Sequence, residues 1–184
     1  MVASELINTT LYNDANLQSY YRLSDTSDSK GANTLTNNGT TPFNAGKFGN
    51  AADGGTGNTT KYLSTTAQMS ATATSACTVM GWINLTDAVT VEKCAVSLRA
   101  GASDAASYGR LILVRKPDAS IVFVGSFYGA TQVSVVGTTV ISTGTWYHVA
   151  ITDDGSAAIK LFVNGTAEGG TGTRVNATAT WNRG

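Results

Sequence analysis

From Thr145 the chain reads TWYHVAITDDGSAAIKLFVNG, and its apolar and polar positions alternate. Tyr147, Val149 and Ile151 share one side of a period of two, with Trp146, His148 and Ala150 on the other, the pattern of a strand with two distinct faces. Asp154-Gly155 then supplies a turn, because glycine reaches positive φ without a Cβ clash. Ile159, Leu161 and Val163 alternate with Lys160, Phe162 and Asn164 on the return, and Asn164-Gly165 turns the chain into a further strand. The segment is a hairpin with one apolar face.

Shorter runs of the same kind fill most of the remainder. They predict strands over 15–23, 34–36, 61–64, 76–85, 91–98, 108–115, 120–127, 131–136 and 139–141, punctuated by Asn38-Gly39, Pro117-Asp118 and Gly144. In ACTVMGWINL, the longest run of the first half, Cys77, Val79, Gly81 and Ile83 face inward while Met80 and Trp82 face outward, under a second sheet or into a ligand surface. Many short strands with almost no helical periodicity imply two packed antiparallel sheets. Cys77 and Cys94 lie on consecutive strands that a turn near Asp87 would fold together. That leaves two readings, a cross-strand disulfide or, preferred, two small buried thiols.

Composition narrows the class. At 184 residues, 42% hydrophobic and 13% charged, the chain suits one domain over 1–184 with residues 1–14 as an extended N-terminal arm. The formal net charge is zero and the twelve Lys and Arg are scattered, which argues against nucleic acid and against a basic membrane patch. No apolar run approaches the roughly 20 residues that span a bilayer, and the N-terminus lacks the basic start and apolar stretch of a secretory signal. Richness in Thr, Ser, Asn and Gly fits an extracellular, cell-surface or virion protein. Six Asn-x-Ser/Thr sequons, at Asn8, Asn38, Asn58, Asn84, Asn164 and Asn176, are compositional in so Asn- and Thr-rich a chain.

Four motifs, LQSYYRLSD at 17–25, GKFGNA at 46–51, CTVMGWI at 77–83 and WYHVAITDDG with LFVNG at 146–165, resemble in their order and spacing the concanavalin A-like lectin/glucanase superfamily, in its laminin-G-like, pentraxin-like form. The resemblance implies an all-β, two-sheet antiparallel jelly-roll sandwich and a non-catalytic module that binds glycans or mediates adhesion, often attached to hydrolases, surface proteins or phage tails. Some members carry a structural calcium. The family pattern places Phe-Asp after the GKFGNA motif where this chain has Gly54 and Gly55, a departure that weakens the analogy. The family also adds a final strand after the last hairpin. Here the chain runs to Trp181-Asn182-Arg183-Gly184, so the sandwich is expected to lack that strand or to cover the edge otherwise, and an unpaired edge invites strand addition.

Candidate chemistry follows from these elements. Glycoside hydrolysis needs two carboxyl groups about 5 to 9 Å apart, and Glu5, Glu92 and Glu168 are scattered, so no catalytic residue is assigned. His148, the one histidine, lies mid-strand with no nucleophile motif beside it and reads as structural. GGTGNTTK at 54–61 lacks the Gly-Lys-Ser/Thr ending of a phosphate loop. Asp25, Asp28 and Asn33 offer hard oxygen ligands for Ca2+, and solvated turn residues explain them equally. Sugar binding sets an aromatic face against the ring and polar groups against the hydroxyls, and the candidates are Trp82, Arg99, Tyr108, Arg110 and Tyr128.

The sequence is read as a carbohydrate-binding recognition module whose partner is a glycan or glycosylated surface, carried by a larger parent protein. The alternatives are an assembly subunit that self-associates by strand complementation and, below it, a glucanase-like hydrolase.

Overall fold

The alternating segments become strands, and every described element is β. The computed structural model describes residues 12–55, 60–65, 76–87, 93–99, 109–115, 122–128, 133–154 and 158–173; at 98–99, 109–115, 122–128, 133–134 and 170–173 the description is of the backbone. The chain divides into two units, Met1–Ala71 and Thr72–Gly184.

In the first unit, β1 (Thr36–Asn38) pairs antiparallel with β4 (Tyr62–Ser64), and β2 (Phe43–Ala45) with β3 (Asn50–Ala52). The β2–β3 turn is the GKFG motif, closed by Gly46 N–H donating to Gly49 C=O at 2.7 Å, with Gly49 at φ 75°. The strand expected over 15–23 does not form. Its backbone is diverted: Tyr20 N–H donates to the Asp28 carboxylate at 2.9 Å, Tyr20 C=O accepts from Ser29 N–H at 2.8 Å, and Leu23 sits at φ 60°. Pairing shrinks to a single bridge between Tyr21 and Asp28.

The second unit is a two-sheet antiparallel sandwich. Its strands are β5 (Ala76–Asn84), β6 (Lys93–Arg99), β7 (Gly109–Arg115), β8 (Val122–Tyr128), β9 (Val133–Val136), β10 (Trp146–Asp154), β11 (Ala158–Val163) and β12 (Thr166–Thr173). One sheet has the order β12-β11-β10-β5 and the other β6-β7-β8-β9. The predicted hairpin is β10–β11, in register from Val149 opposite Val163 to Asp153 opposite Ile159. Asn164 at φ 50° and Gly165 at φ 83° form the two-residue turn into β12, the pair of positive φ values that a type I′ hairpin requires.

Burial follows the alternation. Val149, Ile151, Ile159 and Leu161 are at most 1% exposed, each worth about 1.5–3 kcal/mol of burial. With Tyr147, Val163, Val135 and Ile141 they form the core, against which Val79, Ile83 and Leu85 of the β5 segment and Val96 of β6 pack, so both sheets contribute.

Two expectations fail for one reason: strand partners are set by distant segments. β5 pairs with β10 rather than β6, which sets Cys77 opposite Asp153 in one sheet and Cys94 opposite Leu113 in the other. The two cysteines are thiols, Cys77 half-buried and Cys94 exposed rather than both buried. Residues 139–141 are a loop, because the amides of Thr138 and Thr139 donate to the Glu168 carboxylate of β12, at 2.6 and 2.8 Å, instead of to a neighbouring strand. Gly144 N–H to Leu85 C=O and Ser142 N–H to the Tyr147 phenol oxygen fix the same loop at its far end.

Candidate functional site

The core face of β12-β11-β10-β5 takes the odd-numbered positions of β5, β10 and β11, which leaves the even-numbered ones on the opposite face. There the strand register assembles three rows. Asn84 lies opposite Trp146; Trp82 lies opposite His148; Met80 lies opposite Ala150, which is itself opposite Phe162. Facing residues are about 5 Å apart and successive rows about 7 Å, so one end of the sheet gathers two indoles, an imidazole and, one row on, Met80 and Phe162.

Trp82 and Met80 are exposed, at 40% and 42%, whereas Trp146, His148 and Phe162 are half-buried. The Trp82 and His148 rings meet edge to face, with centroids 5.3 Å apart and planes at 64°, the arrangement that aromatic quadrupoles favour. Asparagines bracket the pair. Asn164 extends the Trp82–His148 row: its side-chain oxygen accepts from His148 N–H at 2.9 Å and its own N–H donates to His148 C=O at 2.8 Å. At the other flank, Asn84 Oδ1 is buried and, among the described residues, meets no hydrogen-bond donor. Among the described residues, these three rows carry no carboxylate, lysine or arginine; Lys160, opposite Thr152, is the first charge further along. Aromatic rows with amide groups at their margins suit the apolar side of a sugar ring and its hydroxyls.

The residues singled out in the sequence are divided between the two sheets. Trp82 belongs to this face. Arg99 and Tyr128 both pair with Gly109, in one row of β6-β7-β8, and Arg110 pairs with Leu98 and Phe127 in the next. Tyr108 lies outside the described residues, as do Glu5 and Glu92. Arg99, Arg110 and Tyr128 thus lie on the other sheet, and Trp82 is grouped with Trp146, His148, Phe162 and Asn84. Their signal was present in the alternation of the hairpin, but it required knowing that β5 lies beside β10.

The acidic loop of the first unit is organised around backbone donors. Asp28 Oδ1 accepts from Tyr20 N–H and Lys30 N–H at 2.9 and 3.0 Å, and its other oxygen from Asn33 N–H at 3.4 Å. Burial pushes the Asp28 carboxyl up, but the amides of Tyr20, Lys30 and Gly31, with the Ser19 side chain, outweigh it and hold it below the usual 3.8. Asp25 accepts from Ser27 N–H at 2.7 Å, the Asn33 side-chain amide donates to Ser19 Oγ, and the Asn33 main-chain carbonyl accepts from the Tyr21 hydroxyl. The acidic loop is thus built on main-chain N–H donors to Asp28 and Asp25, which accounts for these carboxylates as turn-forming residues. Among the described residues, no group of three His, Cys, Asp or Glu side chains is placed to hold a metal ion.

Glu168, the described glutamate, is likewise committed. It is 7% exposed and faces the core side of β12, where Thr138 and Thr139 supply amide and hydroxyl donors, the Thr139 hydroxyl contacting Oε1.

Comparison with known proteins agrees with this architecture. The model of the Laminin_G_3 family, described as the concanavalin A-like lectin/glucanases superfamily, matches residues 53–183. The chain is similar in structure to domain 4 of AbnA, a GH43 extracellular arabinanase from Geobacillus stearothermophilus, solved in complex with arabinotriose. The TM-score is 0.61 at 21% sequence identity, over 87% of this chain and 74% of that one. A search of curated proteins gave no match.

Proposed function

The chain belongs to the concanavalin A-like lectin/glucanases superfamily, and from that premise we propose that it is a non-catalytic carbohydrate-binding module. Its ligand seats on the outward face of β12-β11-β10-β5. The observation that carries this reading is the convergence of Trp82, Trp146 and His148 between two asparagines, in rows that among the described residues hold no carboxylate, lysine or arginine. Arabinotriose bound to the structurally similar AbnA domain supports an oligosaccharide as the ligand and an extracellular setting. Binding works by placing the indole faces against ring C–H groups while amides meet hydroxyls. Each contact is weak, and several modules on one parent or one surface raise the avidity.

Isothermal titration with arabinotriose and with other neutral oligosaccharides tests the proposal. Trp82→Ala and Trp146→Ala each weaken binding about tenfold or more, since one lost stacking contact with its buried area amounts to about 1–2 kcal/mol. Wild-type affinity in both variants, or a wild-type protein that binds no oligosaccharide, overturns it.

A further inference from the structure

Resting on that reading of the face, we infer that Asn84 is the specificity-determining residue of the site and that the ligand is an uncharged sugar donating a hydroxyl to its amide oxygen. Asparagine is a poor strand residue, and Asn84 closes a nine-residue strand at a position where threonine or valine would serve the sheet better. Among the described residues its buried Oδ1 meets no donor, an arrangement that is rare in folded proteins and calls for a donor from solvent or ligand. The location is the pertinent one: Asn84 is directly opposite Trp146 and one row from Trp82. The residue as a whole is only half-buried. Rotation about its Cα–Cβ bond, a motion of picoseconds to nanoseconds for accessible side chains, carries the oxygen onto the face.

The same observation selects the ligand class. The Asn84 carbonyl oxygen accepts a hydrogen bond from a hydroxyl, the amide is neutral, and among the described residues the three aromatic rows hold no lysine or arginine to offset a uronic acid or sulfate. A site built to bond a hydroxyl discriminates strongly against analogues that lack it, because the buried acceptor is then left unpaired.

The test is titration calorimetry with arabinotriose, xylotriose, cellotriose and trigalacturonate against wild type, Asn84→Leu and Trp82→Ala. The protein is made in a host without N-glycosylation, since Asn84-Leu85-Thr86 is a sequon. The expected result is a neutral trisaccharide bound at least about tenfold more tightly than trigalacturonate. Asn84→Leu then loses about tenfold in affinity, about 1.4 kcal/mol, with a melting temperature equal to or above that of wild type. Should Asn84→Leu fail to fold, Asn84→Ala removes the amide without adding bulk and repeats the measurement. Binding that Trp82→Ala abolishes and both Asn84 variants leave intact overturns this inference alone, as does a preference for trigalacturonate. No binding of any trisaccharide by wild type overturns the sugar reading and this inference with it.

Discussion

Replacing Glu168 by glutamine keeps its shape and removes its charge, which isolates what the carboxylate does for the loop between β9 and β10. Two short contacts, Thr138 N–H at 2.6 Å and Thr139 N–H at 2.8 Å, converge on one oxygen. Hydrogen bonds to a charged group are worth about 1.5–3 kcal/mol against about 0.5–1.5 for neutral pairs. Losing the charge from both contacts therefore costs about 2 kcal/mol. Glutamine retains one acceptor, and the Thr139 hydroxyl can turn to receive from the new amide. Alanine leaves both backbone donors without the carboxylate and costs about 3–4 kcal/mol. In a chain of 184 residues, where 1 kcal/mol corresponds to about 2–4 °C, Glu168→Gln lowers the melting temperature by about 4–8 °C.

The pH dependence separates this account from a packing defect. Burial pushes the Glu168 carboxyl up, but the hydroxyl and amide of Thr139, with those of Thr138, outweigh it, and the folded-state value lies below the ordinary 4.5. A group depressed on folding contributes stability that is fully present above its unfolded value and is lost as pH falls through its folded value. The gap between wild type and Glu168→Gln is thus constant above about pH 5.5 and narrows on acidification below 4.5. Urea midpoints across this range, with the slope checked for constancy, measure it. A gap below about 0.5 kcal/mol at neutral pH, or one that widens on acidification, refutes the reasoning.

Two further outcomes are expected. A Cβ at Gly169, φ 67°, would lie 1.8 Å from the Val136 carbonyl oxygen. Gly169→Ala therefore costs about 3 kcal/mol or more, whereas Gly165→Ala, with φ 83° and no atom within 4 Å, costs only the left-handed backbone penalty of about 1–2 kcal/mol; equal urea midpoints for the two variants would contradict the close approach of β12 to β9. Adding Ca2+ or EDTA leaves the melting temperature unchanged, because the Asp28 oxygens are already held by amides; a site saturated at a hundredfold over its dissociation constant would instead contribute about 2.7 kcal/mol.

What the sequence discloses and what it withholds divide along the range of the interaction involved. The β10–β11 hairpin and its exit turn were legible because alternation and Asn164-Gly165 are local signals, and the outward exposure of Met80 and Trp82 followed from the same period of two. The pairing of β5 with β10 depends on segments some sixty to eighty positions apart in the chain, from Asn84 with Trp146 to Ala76 with Asp154, and nothing near Cys77 or Cys94 encodes it. The loop at 139–141 reads as a strand because Thr, Val and Ile favour one, and only a carboxylate at Glu168 overrides that preference. The site obeys the same division. Trp82 could be chosen for its outward position, but Trp146, His148 and Asn84 join it only through strand order, while Arg99, Arg110 and Tyr128 are carried to the other sheet by that order. A sugar site on a sheet face is a cross-strand object, so its members alternate along each strand while their grouping is written in none of them. The one local irregularity that points to it is an asparagine in a strand where the sheet itself has no use for the amide, and that is why Asn84 is the residue to substitute first.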